Sequence, residues 1–132
     1  LSFFRNFPAN ELWEVLKISK WRPFPAGTGL ISEGDVGDSF FILAEGNVKV
    51  TRGKRLLNVL GVGDCFGEMS YLAKRDGPRS ASITTATDCI VMKVRAADLN
   101  SATASCRRLF DRKFLETLVE RLETANQQLA VT

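Results

Sequence analysis

Residues 66–72 read Phe66-Gly67-Glu68-Met69-Ser70-Tyr71-Leu72, and residues 78–83 read Pro78-Arg79-Ser80-Ala81-Ser82-Ile83. Residues 68–73 are predicted to form one short helical turn directly after Gly67. Backbone N–H groups at the start of such a turn have no partner inside the helix and attract anions. Arg79 lies at the entry to the next predicted strand, and its guanidinium can hold two phosphate oxygens at once. The two runs together predict an anion site.

Two further side chains in these runs narrow the kind of ligand. Ser80 adds a hydroxyl and an N–H beside Arg79. Glu68 would repel an anion, so we expect it to accept hydrogen bonds from hydroxyl groups such as a ribose 2′-OH. Phosphate donors beside a sugar acceptor predict a nucleotide. The competing interpretation is a structural salt bridge between Glu68 and Arg79.

Most of the chain from residue 29 to residue 94 has the pattern of a β-protein. Short apolar or alternating segments are separated by Gly, Asp and Asn, which predicts a sandwich or barrel. The predicted strands are residues 29–31, 39–44, 47–51, 56–60, 80–85 and 89–94. Gly34 and Gly37 are each predicted to adopt a backbone conformation closed to other residues.

Helices are predicted on both sides of the strands. Asn10 is expected to cap a first helix, and Trp13 and Trp21 are expected to be core or helix-packing residues. After Val94 the sequence predicts a short helix over residues 96–100 and a long one over about 103–129. The long helix carries a heptad pattern that is either a dimer seam or the face that packs on the strands. Its members are Leu115, Leu118, Leu122, Ala125 and Leu129.

Composition excludes several functional classes. The 132 residues have a net charge of +3 and contain no histidine. Ser–His–Asp catalysis, Cys–His catalysis and His-rich metal sites are therefore excluded, and we expect no enzyme activity and no cofactor. Cys65, Cys89 and Cys106 have no paired spacing, which predicts buried thiols and a reducing, cytoplasmic setting. No apolar run approaches the roughly 20 residues of a transmembrane helix.

The runs that contain Gly67-Glu68-Met69-Ser70 and Pro78-Arg79-Ser80-Ala81-Ser82 resemble the phosphate-binding cassette of the cyclic nucleotide-binding domain family. That family includes the regulatory subunits of cAMP-dependent kinase, cyclic nucleotide-gated channels and the bacterial catabolite activator. Residues 24–27, 31–35, 37–43 and 45–48 are similar to its first strands and turns. The resemblance covers roughly residues 5–125.

The resemblance implies a fold that is mainly β with flanking helices. We expect one domain over residues 1–132, built on an eight-stranded jelly-roll β-barrel at about 19–94. An N-terminal helix precedes the barrel, and a C-terminal helical segment follows at about 96–130.

The resemblance also implies a role for each cassette residue. Glu68 would bind the ribose 2′-OH and Arg79 the cyclic phosphate. The backbone of Gly67 and Ser80, with the Ser80 hydroxyl, would complete the phosphate site. Met69 and Ser70 would lie along the ribose and base, and the helix after residue 94 would close over the base.

Some features leave alternatives open. The stretch between Glu68 and Arg79 is longer than in the shortest family members, with residues 74–76 in an extra turn. Ser80 is also the residue of the bacterial activator, whereas cGMP-preferring members often have Thr there and kinase regulatory subunits Ala. We therefore favour cAMP over cGMP. The alternative is a degenerate jelly-roll domain that binds no ligand and has a structural or dimerisation role.

The expected partners follow from the same resemblance. They are a cyclic nucleotide and a second copy of the chain bound through the C-terminal helix, with an effector that the sequence does not identify. No nucleic-acid contact is expected from these residues. One of Arg107, Arg108, Arg112 and Lys113 could reach the cassette, and the basic residues around Gly53 are expected to form a solvated hairpin tip.

Overall fold

A computed structural model describes residues 2–72 and 77–131. A 3-10 turn, Ser2–Phe4, precedes helix α1 at Ala9–Ile18. The first seven strands are β1 (Ser19–Phe24), β2 (Gly29–Ile31), β3 (Val36–Gly37), β4 (Ser39–Glu45), β5 (Val48–Arg52), β6 (Arg55–Leu60) and β7 (Cys65–Phe66). The remaining elements are α2 (Met69–Leu72), β8 (Gly77–Pro78), β9 (Ser82–Thr85), β10 (Cys89–Arg95), α3 (Ala96–Asn100) and α4 (Ala104–Val131).

The strands form two four-stranded antiparallel sheets, in the orders β1-β10-β4-β7 and β2-β9-β5-β6. A short ladder pairs β3 with β8, so that Gly37 lies opposite Gly77. The predicted fold, mainly β with flanking helices, is confirmed, and eight strands make up the two main sheets. One detail was wrong: the described strands face each other as two separate sheets and do not close into a barrel.

All six predicted strands are present, with ends that shift by one or two residues. The sequence missed β3, β7 and β8 because a strand of two residues shows no alternation. It missed β1 because Pro23 lies inside it. Proline lacks a backbone N–H. It is tolerated here because β1 is an edge strand, which pairs with β10 on one side and, among the described residues, has no strand on the other side.

Two apolar cores lie on opposite faces of the sheet that contains β4 and β10. On one face, Phe40, Ile42, Met92 and Val94 are fully buried beneath the helices. On the other face, the core between the two sheets contains Leu43, Val48, Leu60, Phe66, Ile83, Cys89 and Val91. The alternation of Phe40 and Ile42 with Phe41 and Leu43 therefore fills both cores from one strand.

The N-terminal helix differs from its prediction in two ways. It begins at Ala9, so Asn10 lies inside the first turn, and Pro8 occupies the cap position without a side-chain cap bond. Proline suits this end because its fixed φ and missing N–H cost nothing there. Trp13 and Trp21 are 66% and 45% exposed, so the core role, one of the two predicted for them, was wrong.

Helix α4 packs on the domain through its phenylalanines. Phe110 and Phe114 are fully buried, and Phe40 contacts both rings. The heptad residues Leu115 and Leu122 are 63% and 62% exposed. The interpretation of the heptad as the face that packs on the strands was therefore wrong.

Two other expectations concerned the burial of the cysteines and the presence of a transmembrane helix. Cys65, Cys89 and Cys106 are free and buried, as predicted. Across residues 2–72 and 77–131, no helix combines the length and apolar character needed to cross a bilayer.

Candidate functional site

The predicted site residues lie where three loops meet beside β4. Gly67 and Glu68 connect β7 to α2, and Arg79 and Ser80 follow β8. The Arg79 N–H donates to the Asp35 carbonyl at 2.7 Å, and the Arg79 carbonyl accepts from the Gly34 N–H at 2.8 Å. These two bonds fix the backbone of Arg79 against the turn between β2 and β3.

The guanidinium of Arg79 is half-buried, and its partners in residues 2–72 and 77–131 are carbonyl groups. It donates to the Gly67 carbonyl at 3.0 Å and to the Ser39 carbonyl at 2.6 Å. Burial lowers the pKa of Arg79, whereas the negative charges of Asp38 and Glu68 act in the opposite direction and raise it. Among the described residues, no carboxylate lies within ion-pair distance of it. Within the part of the chain that the structure describes, the site therefore contains a partly desolvated cation without a paired anion.

Two glycines make room for this guanidinium. A Cβ on Gly37 would lie 1.9 Å from Arg79 Nε, and one on Gly67 would lie 2.9 Å from an Arg79 terminal nitrogen. Gly67 also has φ +77° and Gly34 φ +86°, as predicted for Gly34. Gly37 does not have a positive φ, so the prediction that it adopts a backbone conformation closed to other residues was wrong. Position 37 requires glycine because the Arg79 guanidinium occupies the space that a side chain would fill.

Glu68 is 6% exposed and is paired with the C-terminal helix. Arg121 of α4 donates to Glu68 Oε1 at 2.8 Å and to the Cys65 carbonyl at 2.5 Å. The proposed structural salt bridge between Glu68 and Arg79 is not present; the ion-pair partner of Glu68 is Arg121. One basic side chain of the last helix does reach the cassette, but it lies further along than the four that the sequence singled out.

A signal for Arg121 was present in the sequence. Phe110, Phe114, Thr117 and Arg121 follow one another at intervals of four, three and four residues. This spacing places all four on one stripe of an α-helix. Extending the phenylalanine stripe toward the C-terminus therefore leads to Arg121.

The remaining predicted residues occupy the rim of the site. Met69 begins α2 and is 58% exposed. Ser70 is the second residue of α2, and its side chain falls outside the described part of the chain, as do residues 74–76 of the extra turn. Ser80 is exposed. The structure thus brings Gly67 and Arg79 into hydrogen-bond contact, with Glu68 next to Gly67 and Ser80 next to Arg79 in the chain.

The hairpin between β5 and β6 also contacts the site. Arg52 Nε donates to the Ser80 carbonyl at 3.0 Å, and the Gly53 N–H donates to Glu33 at 3.0 Å. The tip is an exposed hairpin turn, as predicted, and these two bonds also tie it to the loops around Arg79. Sequence spacing gave no signal for the contact, because 28 residues separate Arg52 from Ser80.

Comparison with known sequences identifies the family of the chain. Residues 21–106 match the family model described as "Cyclic nucleotide-binding domain". A CRP-like cAMP-activated global transcriptional regulator of Mycobacterium tuberculosis is 34% identical over 112 residues, which is 81% of this chain and 49% of that protein. A cGMP-dependent protein kinase of Toxoplasma gondii is 31% identical over 114 residues, which is 86% of this chain and 11% of the kinase. The chain thus spans half or less of these relatives.

The fold agrees with the sequence comparison. The catabolite activator protein of Thermus thermophilus superposes with a TM-score of 0.78 and 29% identity, over 99% of this chain and 62% of that one. With a family model that matches most of its length and the site geometry described above, the chain belongs to the cyclic nucleotide-binding domain family.

Proposed function

We propose that this domain binds cAMP, in preference to cGMP, in the site between Gly67 and Arg79, and that occupancy is transmitted through α4. The observation that carries the proposal is the Arg79 guanidinium, a half-buried cation whose two described bonds go to neutral carbonyl groups. A cyclic phosphate would supply the missing negative charge and accept two N–H groups at once. The proposed role is binding, and no reaction is proposed.

The other cassette residues receive roles by position. Gly67 and Ser80 flank Arg79 and would donate backbone N–H groups, with the Ser80 hydroxyl, to the phosphate. Glu68 would accept the ribose 2′-OH, and Met69 and Ser70 would lie along the ribose and base. Arg52 supports the arrangement, because its bond to the Ser80 carbonyl holds the loop that follows Arg79.

The preference for cAMP rests on two supports. Ser80 is the residue that the bacterial activator carries after the cassette arginine, and the Mycobacterium tuberculosis relative is named as cAMP-activated. The kinase relative is named as cGMP-dependent. Side-by-side titration with both nucleotides is therefore the decisive comparison.

The proposed route to α4 is the pair between Glu68 and Arg121. Oε1 of Glu68 accepts from Arg121, whereas Oε2 accepts from none of the described residues. A carboxylate can accept several hydrogen bonds, so a ribose hydroxyl could bind Oε2 without displacing Arg121. Ligand and docked helix would then stabilise each other through one carboxylate, and the coupling would be positive.

Isothermal titration of the full chain with cAMP and cGMP tests the ligand. Arg79→Ala is expected to weaken cAMP binding by about 30- to 5,000-fold, the equivalent of roughly 2–5 kcal/mol for a buried charge pair. Arg108→Ala removes an exposed arginine of α4 and should leave affinity unchanged. Equal affinity in wild type and Arg79→Ala would refute the site. Absence of binding to either nucleotide in the wild type would favour the degenerate, ligand-free domain.

Hydrogen exchange of α4 tests the coupling. We expect cAMP to slow exchange in residues 115–129 of the wild type and to have little effect there in Arg121→Gln. Arg112→Gln is the matched control, because it removes an exposed arginine from the same helix. If both variants respond like the wild type, Arg121 does not carry the coupling.

We also propose that α4 pairs with a second copy of the chain. Leu115, Leu118 and Leu122 keep the heptad spacing and are 63%, 38% and 62% exposed. A leucine row that the domain itself does not cover fits a two-helix seam. Light scattering should give a dimer mass that Leu118→Glu with Leu122→Glu converts to a monomer mass. A monomeric wild type would refute this pairing.

The buried free thiols fit a reducing cytoplasm, where we propose that the domain works.

A further inference from the structure

A second cleft opens between the two sheets, on the side of β1 and β2. It has a volume of about 250 Å³. Its lining comes from the end of α1, from β1, β2, β4 and β10, and from α3. None of the six predicted cassette residues lines it. The cleft is therefore separate from the proposed nucleotide site.

The floor of the cleft is apolar. Val91 is 1% exposed, and Phe24, Leu30 and Phe41 are partly buried against the core between the sheets. Phe24, Leu30 and Phe41 leave apolar surface open to the cleft. A ligand that reached this floor would bury that surface, which favours an occupant with an apolar part.

The rim of the cleft is cationic. Its basic residues are Lys20, Arg22, Lys93 and Arg95. Across the described part of the chain, none of these four side chains forms a hydrogen bond or an ion pair. Lys20 and Lys93 lie directly opposite each other in the ladder between β1 and β10, an arrangement that destabilises a sheet.

The acidic groups near the rim are fewer. Asp98 is the acidic residue of the lining. Asp38 lies within range of the rim, since the hydrogen bond from Ser39 and, less strongly, the charges of Lys93 and Arg95 lower its pKa. The rim keeps an excess of positive charge, which attracts anions.

The shape of the cleft favours a small ligand over a protein surface. The apolar floor lies between two sheets, where the flat face of a folded partner does not reach. We propose that this cleft binds a small anion with a short apolar tail, of the class of the medium-chain carboxylates, with the tail on the floor and the carboxylate among the rim cations. The proposal is independent of nucleotide binding.

Octanoate is the probe, followed by amide chemical shifts of the ¹⁵N-labelled chain. We expect saturable shifts at residues 29, 41 and 93, with a Kd on the order of 0.1–1 mM for a ligand of this size. Acetate keeps the charge without the tail, and 1-octanol keeps the tail without the charge. Each should bind at least about ten-fold more weakly, since each uses only one of the two surfaces.

Two variants test the location. Lys20→Gln with Arg22→Gln should weaken octanoate binding by about ten-fold, since exposed charge pairs each contribute modestly. Arg108→Gln with Arg112→Gln is the control with the same loss of charge on α4. Gly29→Leu adds a side chain at the cleft, where a Cβ meets nothing within 4 Å, so the fold should tolerate it while octanoate binding falls.

Three results would overturn the proposal. The first is no saturable octanoate shift below about 10 mM, well above the range expected for a small ligand. The second is an affinity that neither the paired cleft variant nor Gly29→Leu changes. The third is the same set of amide shifts with a Glu-rich peptide but not with octanoate, which would assign the cleft to a protein partner. Unchanged cAMP titration in Gly29→Leu would show that the two sites are separate.

Discussion

The replacement Gly37→Ala should remove nucleotide binding without unfolding the domain. The added Cβ would lie 1.9 Å from Nε and 2.0 Å from Cζ of Arg79. Carbon atoms in contact sit about 3.5–4.0 Å apart, so the guanidinium must move by roughly 1.5 Å or more. Such a shift breaks its bonds to the Gly67 and Ser39 carbonyls, which are now 3.0 and 2.6 Å long.

The displaced group is the far end of a flexible side chain, so the fold itself has little to rearrange. Loss of the two hydrogen bonds of the charged Arg79 costs about 1.5–3 kcal/mol each. Alanine in place of glycine at an ordinary φ recovers about 0.4–1 kcal/mol by restricting the unfolded chain. The free energy of unfolding should therefore fall by about 2–5 kcal/mol, the upper end applying only if water does not replace the lost partners. The affinity for cAMP should fall by about 30-fold or more, because the phosphate loses its charged partner.

The control is Gly29→Ala, the same chemical change at a strand position where a Cβ meets nothing within 4 Å. Calorimetric titration with cAMP and urea denaturation should be measured on both variants and on the wild type. We expect Gly29→Ala to bind cAMP within two-fold of the wild type, since its Cβ approaches no group of the site. Wild-type affinity in Gly37→Ala would refute the conclusion that space beside Arg79 is what this glycine supplies.

Other predictions test the packing of α4, the hairpin contact and the buried thiols. Phe114→Ala should lower the free energy of unfolding by about 3–5 kcal/mol in urea denaturation, because it empties the core beneath α4; a loss below about 1 kcal/mol would contradict that packing. Arg52→Gln should weaken cAMP binding by about five-fold through loss of one hydrogen bond to the cassette, whereas Lys54→Gln should have no effect in the same titration. Burial raises the pKa of Cys65 to about 12 and that of Cys106 to about 11. Both thiols are therefore protonated at pH 8, and iodoacetamide should label them at least about a hundred-fold more slowly in the native chain than in urea.

The parts of this site that the sequence predicted are local in the chain. Gly67 and Glu68 are adjacent, and Arg79 follows after a short excursion, so their types and order alone pointed to an anion beside a sugar. Strands β4, β5 and β10 were visible for a similar reason, since a pattern over five or more residues shows which face of a strand is buried. Strands of two residues and an edge strand that contains proline show no such pattern in the sequence.

The parts that the sequence did not predict depend on contacts between distant residues. Gly37 lies far from Arg79 in the chain, and no local pattern shows that one fills the space beside the other. The pairing of Arg121 with Glu68 spans 53 residues, and it becomes visible only when the α4 stripe is followed past its apolar residues. Side-chain type also misled at Trp13, because a large apolar residue on an amphipathic helix is not always covered.

In the proposed mechanism, the pair between Glu68 and Arg121 sets how strongly cAMP binding shifts the position of α4. A ligand shifts the position of α4 only by the difference in its affinity for the docked and undocked states. Linkage is reciprocal, so the factor by which Arg121→Gln weakens cAMP binding bounds the factor by which cAMP stabilises docked α4 through this contact. Coupling energies of about 1–3 kcal/mol correspond to about 5- to 150-fold. A loss of affinity in that range would make one carboxylate sufficient for the output. If Arg121→Gln binds cAMP with unchanged affinity while Arg79→Ala has lost affinity, the nucleotide binds independently of the contact between Glu68 and α4. Any movement of the helix would then start from another contact.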